Sequence, residues 1–312
     1  MKKEDTLNYL VNLFIEKPVY LGMGAGKLSA RYGTNRETVY RAKDIVRGRT
    51  TKLPKILILD IETTPLKAYV WQTQVNKAYI SDDAIISKWH MLTWSAKWLG
   101  SNEIMSMRVS GDEALHEEDG RIVRVLWNLL DEADIVIAHN GDYFDVPNIN
   151  TRFIVNGLPP TRTYRTIDTL KIARKQFGFT HNSLNALGKV FGLGEKIETN
   201  FDLWRNADRG DDEALIEMEI YNRGDVDLLE KVYLKLRPWV RNHPNIGIYL
   251  ESDEKVCAIC GSEHIVQDGY HYTNTGRYPA YRCNDCGSTN TRSRNNDYPK
   301  DKKKNLNAPI NR

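Results

Sequence analysis

Residues 55–62 read KILILDIE, an apolar run from Ile56 to Leu59 that closes on Asp60, Ile61 and Glu62. A short unbroken apolar run of this kind fits a β-strand buried on both faces. Strand side chains alternate, so Asp60 and Glu62 point the same way at the strand's end. Two carboxylates on one face repel each other unless a cation sits between them. Hard divalent ions such as Mg²⁺ are held in this way, by carboxylates together with water and substrate phosphate. For a D-x-E fragment alone, a solvated strand end is the competing reading.

Outward from this strand the chain alternates between the two periods. MLTWSAKWL (91–99) and EIMSMRV (103–109) read as further strands of the same sheet. RIVRVLWNLLDEA (121–133) has helical spacing, and DIVIAHN (134–140) is again a strand. Helices are predicted over 147–156, 169–177, 183–191 and 212–236. Strands first and βα alternation afterwards predict an α/β fold, a mixed sheet with helices on both faces. A core of this size spans 55–240, and no internal repeat interrupts it.

Two more acidic stretches complete a pattern. HNGDYFD (139–145) ends a strand with Asn140 and delivers Asp145 at the start of a helix. YNRGD (221–225) sets a phenol and a carboxylate four residues apart, on one helix face. D-I-E at 60–62, N-G-D-Y-F-D at 140–145 and Y-N-R-G-D at 221–225 resemble, in order and interval, the DnaQ-like DEDD superfamily of 3′–5′ exonucleases, which has an RNase H-like fold. The histidine subclass needs His at 220, where this chain has Ile220, so the likeness is to the tyrosine (DEDDy) type.

The resemblance implies that Asp60, Glu62, Asp145 and Asp225 hold two Mg²⁺ or Mn²⁺ ions. Such ions lie about 3.5 to 4 Å apart, activate a water and stabilise the leaving 3′ oxygen. It also implies that Tyr221 orients the attacking water, while the metal does most of the deprotonation, because a phenol with an ordinary pKa near 10 stays protonated and cannot act as the base. Asn140 either supports its loop or contacts the nucleotide. Phe144 reads as core, although the family's aromatic at this place can lie near the terminal base. Asp142 and Asp227 fall out of register and read as surface residues, and Asp168 reads as a helix cap or a supporting acid. His139 is unused by the family pattern. Lys171, Arg174 and Lys175 form a basic stripe, either solvated or tracking phosphates.

The flanks differ in kind. In residues 1–48 the segment KLSARYGTNRETVYRAKDIV resembles a helix-turn-helix, with a helix over 27–32, a turn at Gly33, Asn35 as cap, and Val39 and Ile45 on the apolar face of the second helix. Arg36, Thr38, Arg41 and Lys43 would then face phosphates or base edges; an ordinary helical hairpin is the alternative. LGMGAGK (21–27) is not a phosphate loop, because Leu21 and Leu28 stand where Gly and Ser/Thr are required. Residues 49–54 read as a linker.

Toward the other end, CAICG (257–261) and CNDCG (283–287) are two knuckles whose Cys257, Cys260, Cys283 and Cys286 suit one structural Zn²⁺. The intervening GYHYTNTGRYPAYRC reads as a hairpin, and residues 251–290 together resemble a zinc ribbon. Tyr270, Tyr272, Tyr278, Tyr281, Arg277 and Arg282 offer either stacking surfaces for single strands or mere stabilisation. Residues 291–312 read as a disordered basic arm.

Charge is unevenly spread over the 312 residues. Residues 1–50 carry ten Lys/Arg against five Asp/Glu, and residues 291–312 carry seven against two. With a whole-chain charge of +3, the stretch between them is net −7. An acidic centre between basic ends suits a metal-dependent enzyme that grips a polyanion with its flanks. No apolar run is long enough to span a membrane and no secretory leader is evident, so a cytoplasmic protein is expected. The expected activity is metal-dependent 3′–5′ exonuclease action on DNA, with single strands or 3′ ends as substrate and RNA left open. A polymerase or other replication protein is an expected partner, and a bacteriophage or bacterial source suits the architecture. A transposase- or resolvase-type nuclease, or a DNA-binding regulator on an inactive scaffold, are the alternatives.

Overall fold

In the computed structural model, Ile56–Thr63 (β1) is the middle strand of a five-stranded sheet. The structure describes residues 3–46, 53–71, 80–195, 197–250, 254–274 and 276–299. β1 pairs antiparallel with Met91–Trp98 (β4) and parallel with Ile135–Ala138 (β6). Met105–Arg108 (β5) extends the β4 edge antiparallel, and Arg165–Asp168 (β7) extends the β6 edge parallel. The order is therefore β5-β4-β1-β6-β7, a mixed sheet. A two-stranded ribbon, Lys67–Ala68 (β2) and Ile85–Ser87 (β3), lies between β1 and β4 in the chain.

Period-two alternation divides β1 between the sheet's faces. Leu57, Leu59 and Ile61 enter a core with Ile122, Leu126 and Leu130 of Gly120–Glu132 (α5) and Ile149 and Phe153 of Asp145–Val155 (α6). Trp94 of β4 is buried there, its indole N–H donating to the Ile122 carbonyl at 2.9 Å. Ile58, Asp60 and Glu62 take the opposite face, toward the 25-residue helix Asp212–Leu236 (α10), which packs on β1 and β4. Thr169–Gln176 (α7) and Leu184–Phe191 (α8) also touch α10.

Several polar ties fix α10 along the β4–β5 side. Arg223 donates to the Ile104 carbonyl at 2.9 Å and to Ser106 Oγ at 2.7 Å. Arg108 pairs with Glu219 at 3.2 Å, and Lys97 with Glu230 at 2.5 Å. Several elements are not legible in the pattern, among them β2, β3, β7, Gly111–Leu115 (α4), opened by a Ser110/Glu113 capping box, and Phe201–Asp208 (α9), capped by Asn200. All are short, and so few residues carry too little periodicity to mark an element.

The chain divides into two compact units, one from Met1–Leu53 and Ile248–Glu254, the other from Pro54–Gly247 and Lys255–Arg312. In the first, Lys3–Glu16 (α1), Ala25–Tyr32 (α2) and Arg36–Val46 (α3) enclose Leu10, Phe14, Leu28, Val39 and Ala42. Gly33 caps α2, and Asn35 Oδ1 accepts from the Thr38 N–H at 2.8 Å, as its capping role requires. Three expectations fail here. Thr38 is buried, because its hydroxyl also bonds Asn35 Oδ1 at 2.7 Å. Lys43 is buried as well, its ammonium donating to the Met23 carbonyl at 2.6 Å. Ile45 is exposed and takes no part in the apolar face. Arg36 and Arg41 do stand exposed on α3.

The four-cysteine segment belongs to the second unit. Ile265–Thr273 (β8) and Gly276–Cys283 (β9) form the hairpin, and Thr291–Arg292 (β10) adds a third strand. Residues 291–299 are thus not part of a disordered arm. Ser293 N–H bonds the Pro279 carbonyl, Asp297 N–H bonds the Arg277 carbonyl, and Arg277 pairs with Asp297. Residues 300–312 lie outside the described residues. Of the two readings of Tyr281, burial beside Lys255 favours the stabilising one. Tyr270 and Tyr272 are exposed, with the Arg277 guanidinium 4.4 Å from the Tyr270 ring centre.

Candidate metal centres and the family

Asp60, Glu62 and Asp225 bring carboxylate oxygens to within 4.8 Å of one another. Each arrives by a different local device. Asp60 and Glu62 come from β1, and the β1–β4 register shifts just past Glu62, between Glu62 and Thr63. The regular pairing is interrupted there, an irregularity of the kind found beside many active sites. Asp225 comes from α10, whose start is fixed by Asp211 accepting from the Glu213 and Ala214 N–H groups at 2.9 and 3.2 Å.

Asp145 is buried at the first turn of α6 and lies outside that triad. Its Oδ1 accepts the Ile61 N–H at 3.2 Å, which locks it against the strand between Asp60 and Glu62. The turn that delivers it is tight. Asn140 has a positive φ of 72°, and a Cβ on Gly141 would come within 2.4 Å of the Ala138 Cβ, so only glycine fits there. Asp168 ties this turn down. Its carboxylate accepts N–H bonds from Asn140 (3.0 Å), Leu170 (2.9 Å) and Lys171 (3.2 Å), with Asp142 N–H at 3.4 Å. Asp168 is therefore both the cap of α7 and the anchor of the turn. His139 lies on the β7 side, its Nδ1 2.9 Å from Thr169 Oγ1.

Asn140 is fixed at the turn through its backbone. Phe144 is not core: it is 39% exposed at the head of α6. Asp142 pairs with Lys171 at 2.7 Å; burial works against its ionisation, but hydrogen bonds from Lys171 and Thr166 together with the Lys171 charge outweigh it and hold the carboxyl below the usual range. Asp227 pairs with Lys231 at 2.7 Å. Tyr221 meets Trp204 of α9 edge-on, ring centres 6.0 Å apart. Neither Trp204 nor Asn222, whose Nδ2 donates to Asp60 Oδ2 at 2.7 Å, stands out in the sequence alone. An Asn in mid-helix is a weak helix former, and that was the one available signal for Asn222.

The cysteines converge as closely. Cys257 and Cys286 sulfurs are 3.7 Å apart, and those of Cys260 and Cys283 are 3.6 Å apart. Sulfurs about 2.3 Å from a tetrahedral zinc lie roughly 3.8 Å apart, whereas a disulfide would bring two to about 2.05 Å. The two knuckles are built alike. Gly261 N–H bonds the Cys257 carbonyl at 2.8 Å and Gly287 N–H the Cys283 carbonyl at 3.0 Å, with φ of 76° and 75° at the two glycines. Hydrogen bonds from Cys260 and then Cys286 hold the Cys257 thiol far below its ordinary range. The same sharing pushes Cys260 up, and Cys286 to about 11. Four sulfurs at this spacing could hold a metal ion, to which they would bind as thiolates.

Residues 57–237 match the RNase_H_2 family of the RNase H superfamily. This chain belongs to that family. The match spans β1 through α10, so it takes in all four acids and Tyr221, and the five-stranded mixed sheet is its RNase H-like fold. No curated protein matches the chain. Among solved structures, it is similar to a family B DNA polymerase from the hyperthermophilic archaeon Pyrobaculum calidifontis, at 14% identity and a TM-score of 0.41. The alignment covers 70% of this chain and 31% of the polymerase, so the chain spans under a third of that protein's length. Among the described residues no helix is long and apolar enough to cross a membrane.

Proposed function

We propose that this RNase_H_2 family member is a metal-dependent 3′–5′ exonuclease of the tyrosine type, acting on single-stranded DNA or 3′ ends. One observation carries the reading: Asp60, Glu62 and Asp225 gather their oxygens within 4.8 Å, and Tyr221 lies one helical turn before Asp225 on the same α10. Oxygen donors so grouped suit Mg²⁺ or Mn²⁺, with Asp145 locked beside them as the fourth acid. When bound, two such ions supply Lewis acidity at the attacking and leaving oxygens of an in-line displacement.

The chain's own groups do the rest. Tyr221, its ring braced by Trp204, orients the attacking water through its phenol. Water oxygen bonds to phosphorus, the P–O3′ bond breaks, and a proton passes to the leaving oxygen. Phe144, exposed at the head of α6, offers a face to the terminal base. Arg36 and Arg41 on α3 are the cations of the N-terminal unit that tether DNA phosphates, and Zn²⁺ is the metal of the four cysteines.

The test uses 3′- and 5′-labelled single-stranded DNA and RNA, with Mg²⁺, Mn²⁺ or EDTA. Stepwise loss from the 3′ end, abolished by EDTA and by Asp60→Ala, is the expected result. Endonucleolytic products or metal-independent cutting would refute it, and cleavage of RNA alone would reassign the substrate. Tyr221→Phe lowers turnover strongly while leaving DNA binding intact; an unchanged rate removes the phenol from the mechanism.

A further inference from the structure

Asn222 occupies a place that neither helix propensity nor burial favours. It sits in the interior of α10 with no exposure to solvent. Asn is a poor helix former, and a buried amide is costly unless its hydrogen bonds are made. Only half of this one is satisfied within the protein. Nδ2 donates to Asp60 Oδ2 at 2.7 Å, and Oδ1 has no hydrogen-bond partner. The amide cannot be turned round, since Oδ1 would then meet the carboxylate oxygen acceptor to acceptor. The contact joins α10 to β1 at the acid that shares the 4.8 Å cluster with Glu62 and Asp225. Asn222 also lies three residues before Asp225, on the same helix face.

We infer that Asn222 is a positioning residue for the divalent-metal site: its Nδ2 holds the plane of the Asp60 carboxylate for the ion. The inference rests on the nuclease reading above. A neutral donor suits the task. A lysine or arginine in its place would cancel the charge the ion needs, and an apolar residue would leave the carboxylate free to rotate. The orphaned Oδ1 is a buried acceptor on the same amide, suited to a water of the ion's remaining shell. Hydrogen-bonding partners of metal ligands typically contribute 10- to 100-fold to metal affinity or activity.

The test compares full-length wild type with Asn222→Leu, close in shape but without donor or acceptor, and with Asn222→Asp. Mn²⁺ binding is followed by electron paramagnetic resonance, thermal unfolding is measured in EDTA, and cleavage is measured across Mn²⁺ concentrations. Asn222→Leu is expected to weaken Mn²⁺ binding about 10- to 100-fold. Its melting temperature in EDTA does not fall, and cleavage recovers at saturating Mn²⁺. Asn222→Asp, which sets a charge against Asp60, melts lower in EDTA and is restored by Mn²⁺. A leucine variant whose Mn²⁺ titration superimposes on wild type overturns the inference. So does one that loses binding and melting temperature together, which marks a structural role. Wild type that binds Mn²⁺ at these acids but cuts no nucleic acid sinks the exonuclease reading, while the Mn²⁺ titrations still decide the role of Asn222.

Discussion

The carboxylate cluster and the cysteine cluster are built on opposite plans. Asp60, Glu62 and Asp225 come from a central strand and a distant helix, and the fold holds them together through ties made elsewhere: Arg223 to Ser106, Arg108 to Glu219, Lys97 to Glu230. Cys257, Cys260, Cys283 and Cys286 come from two short knuckles around one hairpin, with little apolar core beyond Ile259 and Ile265. In the first case the core positions the ligands, and like charges are crowded at its edge. In the second the ligands replace a core. A metal would therefore be an addition to one site and a structural member of the other.

The largest expected effect lies at the carboxylates and is on rate alone. Asp225→Asn should lower cleavage by roughly 10³-fold or more, because a catalytic ion contributes several kcal/mol and each 1.4 kcal/mol or so is a decade. Its melting temperature in EDTA should hold or rise, since one of three crowded negative charges is gone. A fall of several degrees would show that these acids also hold the fold, and the contrast between the clusters would blur.

Cys283→Ser should do the reverse. Losing a thiolate from a closed four-sulfur site forfeits folding energy outright, on the order of 5 kcal/mol for the module. The loss should reach into the nuclease core. Asn290 Nδ2 donates to the Pro238 carbonyl at 3.0 Å, and Ile246 N–H to the Ala258 carbonyl at 2.8 Å, just past the end of α10. Hydrogen exchange should therefore quicken in the hairpin and around Tyr233, whose hydroxyl is 2.7 Å from His243 Nε2. Unchanged exchange at Tyr233 would make the ribbon an independent appendage.

The two plans also differ in how far they could be read without coordinates. Knuckle spacing is local, so the four cysteines were legible from residue type and interval. The acids were legible only as three weak motifs in register, because Asp60 and Asp225 meet through tertiary packing. What stayed hidden follows the same division. The helix-turn-helix resemblance turns Thr38 and Lys43 outward, yet Asn35 and the Met23 carbonyl draw both side chains inward. Helical phase says which way a side chain leaves the backbone and nothing of which partner it finds. Phe144 was read as core from its hydrophobicity, although the Asn140–Gly141 turn brings it to the surface at the head of α6. The third strand at Thr291–Arg292 was lost in a run of polar and basic residues.

Asp168 probes the carboxylate side at smaller scale. Its carboxylate gathers the N–H groups that shape the turn before Asp145. Asp168→Ala loses a helix cap and leaves buried N–H groups unpaired, about 2–3 kcal/mol together. For a unit of this size that lowers the melting temperature by about 5–10 °C. Cleavage should fall too, through a displaced Asp145, and Asp168→Asn should recover part of both. If Asp168→Ala melts low but cuts at the wild-type rate, the turn does not position Asp145.

Glu113 supplies the smallest and sharpest control, a carboxylate whose cation is already in the chain. Arg121 donates to it through Nε at 2.8 Å and Nη2 at 2.6 Å, and the Ser110 N–H adds a bond at 2.7 Å. Those Arg121 hydrogen bonds, foremost, pull its pKa down to about 2. Unfolded, the group titrates near 4.3. Its contribution to stability is thus complete above about pH 4.5 and fades as the pH falls toward 2. Taken at face value the shift is worth about 3 kcal/mol, but the Arg121 side chain is 49% exposed and screening reduces this to about 1 kcal/mol. Glu113→Gln should therefore melt about 2–4 °C below wild type at pH 7, with the gap narrowing below about pH 4.5, closing as the pH approaches 2, and unaffected by Mg²⁺. Asp60, Glu62 and Asp225 should respond the other way, with melting raised by Mg²⁺ at pH 7 and no benefit once they are protonated. A Glu113→Gln gap that keeps its full size down to pH 2 would mean that packing, and not the Arg121 pair, sets the difference.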